Sequence, residues 1–160
     1  MKKKITVVVK SARHQIEYYI FTFLIKETNR IGLRKIEKEF YIKHSKSHSV
    51  PRGKHHEIEI IEPNMVLQKN HEKIHFHLSA KDDKPYICWT RRVPNMDRAL
   101  DIITIWSAGT VYTMKNNIGF EKLSSNDDLD NDIFENVMNK LKRYYKITVE
   151  TVLEEIYSRV

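Results

Sequence analysis

A chain of 160 residues, 41% apolar and 31% charged, has the size and balance of one globular domain, so residues 1–160 are read as a single folded unit. Lys and Arg (28) outnumber Asp and Glu (21), and the formal charge of +7 favours anionic partners, with DNA or RNA first among them. Cys88 is the only cysteine, which excludes an internal disulfide; no apolar run reaches membrane-span length, and the stretch 5–9 after three lysines is too short for a secretory signal, so the cytoplasm is the expected compartment.

Residues 5–9 are β-branched and predict a strand. From Ser11 a helix is favoured, because Ile16, Tyr19, Ile20, Phe23 and Leu24 recur at helical spacing and Gly32 stands where a C-terminal cap would. Residues 18–25 also form one continuous apolar run, the pattern of a buried strand. The period then changes to two. Ile36, Phe40 and Ile42 share a face in 36–42, Ile58 and Ile60 oppose Glu57 and Glu59 in 57–61, and Ile74, Phe76 and Leu78 oppose His75, His77 and Ser79 in 74–79.

A turn is predicted at 81–85, with 86–90 returning as the partner strand. Residues 97–115 read either as one helix or as a hairpin turning at Ser107-Ala108-Gly109, and their β-branched content favours the hairpin. The acidic stretch 124–132 leads into a helix with the apolar stripe Phe134, Val137, Met138, Leu141 and Tyr145, and a last helix is predicted over 148–158. These elements add up to an α+β fold: an antiparallel sheet of about five or six strands with an early helix and C-terminal helices, a single layer of helix on sheet.

Seven of the eight histidines fall between His44 and His77. In Ile74-His75-Phe76-His77-Leu78, strand alternation sets two imidazoles side by side, and paired imidazoles on a rigid strand are partly preorganised metal ligands. Glu57, Glu59, His44 and His48 are candidates for a third ligand. The segment resembles the histidine-hydrophobe-histidine motif of HUH endonucleases, the group of rolling-circle replication initiators, relaxases and small single-strand transposases. Tyr19-Ile20-Phe21-Thr22-Phe23-Leu24 is similar to the first motif of the replication initiators, and Tyr112-Thr113-Met114-Lys115 to their Tyr-x-x-Lys pattern. The resemblance implies His75 and His77 as ligands of a divalent ion, Mg or Mn, with Tyr112 as the nucleophile on a DNA phosphate and Lys115 as its neighbouring cation. It also implies a strand at the first motif and a helix at the tyrosine, each the opposite of the conformation favoured above.

His77-Leu78-Ser79 has the His-x-Ser form of two-histidine phosphoesterases, but that chemistry needs two such motifs and the chain has one. Residues 43–54 contain Lys43, Lys46, Arg52 and Lys54 with no acid, and their serines, glycine and lysines suit phosphate oxygens. Arg91 and Arg92 are candidates to clamp a phosphate. Two functions are therefore expected. The first is a nucleic-acid or nucleotide-phosphate-binding protein, extended by the resemblance to metal-assisted phosphodiester cleavage. The second is a non-enzymatic inhibitor or immunity-type protein of a phage or mobile element, docking on a protein partner.

Overall fold

The computed structural model describes residues 2–30, 53–64, 74, 76–79, 82–87, 93–119 and 131–154. Among them six strands form one antiparallel sheet with two helices on one face. β1 (Lys2–Ser11) and β2 (Glu17–Arg30) are a hairpin whose register sets Lys2 opposite Lys26 and Ser11 opposite Glu17. β3 (Gly53–Glu62) lies along β2, with Gly53 opposite Arg30 and a register shift at Thr22/Phe23. β4 (Phe76–Leu78) and β5 (Pro85–Ile87) form a short hairpin, and Asp83 between them adopts φ 60°.

The predicted strand at 5–9 is the middle of β1, where Ile5, Val7 and Val9 are buried and Thr6 and Val8 face the other way. The helix favoured from Ser11 does not form; residues 17–30 are β2. Phe21, Phe23 and Ile25 enter the core while Tyr18 and Ile20 stand exposed on the opposite face. Apolar residues on both faces of one strand imitated helical spacing. The early helix of the expected fold is thus a strand, and the strand predicted at 36–42 lies outside the described residues.

The hairpin favoured over 97–115 is also replaced, by α1 (Met96–Asn116). Asn95 caps its start by accepting the Arg98 N–H at 2.8 Å, and Asn117, in the left-handed region with φ 51°, closes its end. Its β-branched residues Ile102, Ile103, Ile105, Thr110 and Val111 are buried, so packing overrides their β preference. Ser107, Ala108 and Gly109 are not a turn; they are buried small residues on this helix.

α2 (Asn131–Tyr145) matches the expected helix, with Val137 and Leu141 buried. The chain then turns through Lys146 at φ 54°, and the helix predicted over 148–158 is instead β6 (Ile147–Glu154), paired with β1. β-branched Ile147, Thr148, Val149, Thr151 and Val152 outweigh the local helical pattern once β1 offers a ladder. The strand order is β4-β5-β3-β2-β1-β6.

Ile5, Val7, Val9, Phe21, Phe23, Ile25, Ile58 and Ile60 of the sheet share one core with buried residues of both helices. No helix among the described residues is long and apolar enough to cross a membrane.

Candidate functional site

Two polar constellations hold two described members of the predicted site, His77 and Lys54. The first is on the sheet face away from the helices, where register aligns His77, Tyr86 and Glu59 across β4, β5 and β3. Lys26 reaches in from β2. Its Nζ lies 2.6 Å from Glu59 Oε1 and donates to the Tyr86 hydroxyl at 2.8 Å. That hydroxyl donates to Asp82 Oδ2 at 2.9 Å, and Asp82 Oδ1 accepts the Lys84 backbone N–H at 3.1 Å. The His77 ring stacks on Tyr86 with centroids 6.0 Å apart and planes 18° from parallel.

Burial opposes the Lys26 charge, yet Glu59 and Tyr86 hold its pKa above the ordinary lysine value. Burial likewise opposes the Asp82 carboxylate, but the Lys84 amide and Tyr86 hydroxyl bring it below the usual range. Burial pushes the Tyr86 phenol up, with Lys26 and Asp82 acting on it in opposite directions.

The carboxylates next to His77 are already engaged, Glu59 by an ammonium group and Asp82 by a hydroxyl and an amide. A divalent ion there would sit against the Lys26 cation. The described residues around His77 therefore do not fit the expected Mg or Mn, and no group of three or more His, Cys, Asp or Glu among the described residues could hold a metal. His75 lies outside the described residues.

Tyr112 is on α1 and residues 19–24 are on β2, the local conformations that the resemblance implies. They do not bring Tyr112 to His77. Tyr112 is 3% exposed within the core on the helix side of the sheet, edge-on to Tyr145 at 4.7 Å, whereas His77 stacks on the far face. Lys115 is drawn off to Glu17, Nζ to Oε2 2.8 Å, and helps hold the Glu17 carboxyl below its usual range. Burial and the hydrogen bond with Tyr145 push the Tyr112 phenol up to about 12. A phenol whose folded value lies above the unfolded 10 stabilises the fold fully below pH 10 and loses that contribution as pH rises toward 12. Thermal melts from pH 8 to 12 should show this loss in the parent protein and a flatter profile in Tyr112→Phe; equal profiles would remove Tyr112 as its source.

The second constellation joins β3 to Val93. The Val93 N–H donates to His55 Nδ1 at 2.9 Å, and the Val93 carbonyl accepts the His56 backbone N–H at 2.8 Å. His56 Nδ1 is 3.0 Å from the same carbonyl, so that nitrogen carries a proton, while the lone pair of His55 Nδ1 faces the Val93 amide. Both imidazoles are buried. His56 Nε2 lies 3.7 Å from Glu27 Oε2, and Lys54 Nζ is 3.1 Å from Glu27 Oε1.

Of the predicted phosphate-binding residues, Lys54 is described and is well exposed in its pair with Glu27. Such an exposed pair is worth about 0–1 kcal/mol, weak enough to exchange for a phosphate. Lys43, Lys46, Arg52, Arg91 and Arg92 lie outside the described residues. Sequence reasoning missed His55, His56 and Val93 as a unit. The adjacent histidines were a usable signal, but their partner is a backbone amide and carbonyl, which leave no mark in a sequence.

Comparison with protein-family models, curated proteins and solved structures finds no match to this chain.

Proposed function

We propose that this chain binds nucleic acid, or another phosphate-bearing ligand, at the end of the sheet where β1 and β3 begin. The observation that carries this is the double fastening of Val93 to His55 and His56. It ties the residue that follows Arg91 and Arg92 to the two that follow Lys54, across 38 and 37 positions of sequence. Lys2 to Lys4 belong to the same end, because Lys2 pairs with Lys26 and Asn29 with Lys54, about 10 Å apart along β2. Residues 31–52, which connect β2 to β3, contribute six basic side chains against two acidic ones, Lys43, Lys46 and Arg52 among them. α1 begins three residues after the fastened Val93, adding the positive end of its dipole, part of which Asp97 in its first turn takes up.

Binding is proposed without strand cleavage, since the buried Tyr112 and the stacked His77 are on opposite faces of the sheet. Affinity for labelled single-stranded DNA, single-stranded RNA and duplex should fall steeply from about 50 to 200 mM salt. Replacing Lys54, Arg91 and Arg92 together by alanine should reduce the slope of log K against log salt by about 2–3. Absence of binding at low salt, or an unchanged slope in the triple variant, would overturn the proposal.

A second function, the non-enzymatic inhibitor or immunity-type protein, is favoured by exposed Ile16, Tyr18 and Ile20 around the β1–β2 turn, at the other end of the sheet. Tyr18→Ala with Ile20→Ala should leave nucleic-acid binding unchanged under the first proposal and abolish partner docking under the second.

A further inference from the structure

We infer that β6 is a self-association edge, along which two copies of this chain join their sheets antiparallel about a twofold axis at Thr151. β6 is the last strand of the sheet and has β1 as its neighbour among the described residues. Glu150, Thr151 and Val152 are all exposed, and consecutive strand residues point to opposite faces, so neither face of this half of β6 is covered. Its ladder with β1 runs without a shift from Ser11–Ile147 to Lys4–Glu154. Natural edges are usually blunted by Lys, Pro, a bulge or short length. β6 has eight residues, no Lys, Arg or Pro, and five β-branched side chains. The opposite edge, β4, has three residues.

The register singles out a second copy as the occupant. Antiparallel partners must share a face, so the twofold axis falls on a residue and not between two. Centred on Glu150, it would set two carboxylates directly opposite each other. Centred on Val149, it would pair little more than half the strand. Centred on Thr151, it pairs residues 148–154 and sets Glu150 opposite the partner's Val152, with no like charges facing. Charge permits the approach. β6 carries two glutamates in a chain of net +7; Lys4 and Lys10 of β1 lie one strand in from this edge, opposite Glu154 and Thr148, and the segment 31–52 connects β2 to β3 on the far side of β1.

The test is sedimentation of the full chain over a wide concentration range, where a reversible monomer–dimer equilibrium is expected. Val152→Glu should weaken the dimer roughly tenfold, because it creates two like-charge pairs with Glu150, whereas Val152→Lys should hold or tighten it. Val152 is 52% exposed, so both variants should fold, which circular dichroism checks. In a Cys88→Ser background, Thr151→Cys should cross-link on mild oxidation, because paired Cα atoms lie about 4.5–5.5 Å apart, while Thr148→Cys should not. A monomer at every concentration, a dimer indifferent to the sign of charge at position 152, or cross-linking at 148 in place of 151 would each overturn the inference. A monomer that instead takes up an added β-strand peptide would assign the edge to a foreign partner.

Discussion

Trp106→Ala is expected to lower stability by about 3–5 kcal/mol, a large part of the roughly 5–15 kcal/mol that holds a domain together. The indole meets Phe21 and Phe23 edge-on at 5.8 and 5.7 Å, and those two rings stack on each other at 6.3 Å. This contact joins α1 to the centre of β2, so its loss combines transfer free energy, aromatic geometry and a cavity. Ser107, Ala108 and Gly109 follow in the same helix, and such small side chains offer little that could refill the space. A urea midpoint series reads the effect, with exposed Tyr144→Ala as a control expected to stay within about 0.5 kcal/mol. A loss below about 1 kcal/mol would mean that this ring does not seat the helix.

Lys26→Met is the second large effect, expected to cost about 3–5 kcal/mol. The side chains of Lys26 and Glu59 are 17% and 7% exposed, so removal of the ammonium strands a carboxylate with little water to receive it. Lys26→Met with Glu59→Leu should recover most of the loss, because a buried ion pair replaced by apolar side chains of similar volume is often neutral. If the double variant is as unstable as the single one, the cost lies in packing and not in the abandoned charge. The raised pKa values of Lys26 and Tyr86 also mean that the network's contribution is complete at neutral pH and fails as pH climbs above about 10. The lowered Asp82 adds a contribution that is lost at the acid end, below its ordinary 3.8. These bonds matter to the proposed site because, among the described residues, Glu59 with Tyr86 is the registered pair between β3 and β5, ahead in sequence of Val93.

How far the candidate site was legible varies with the kind of partner each residue has. Lys54 was readable as a cation in an acid-free stretch, but its pairing with Glu27 was not, because the acid stands on the neighbouring β2. Glu59 was weighed as a metal ligand because it alternates with core isoleucines, but the strand opposite supplied Lys26, whose arrival depends on the β2–β3 register. Tyr112 was readable as a tyrosine three residues before a lysine. Its burial beside Tyr145 depends on how the two helices pack, and Lys115 is taken up by Glu17 of β2.

The sequence by itself determined the class of fold and several of its parts. Alternation in β1 and β3 is a local property of which side chains avoid water, and the stripe of Val137 and Leu141 is equally local. The overall positive charge, which first suggested a phosphate-bearing partner, needs no structure at all. Tertiary structure decided three conformations against the pattern read locally, helical spacing in two of them and β-branched content in the third. Residues 17–30 are strand, 96–116 helix and 147–154 strand, because β1 had two edges to fill and the sheet had one face to cover. It also decided that Val93 meets His55 and His56, because that joining rests on backbone bonds to two buried histidines, which a sequence read in one dimension does not display.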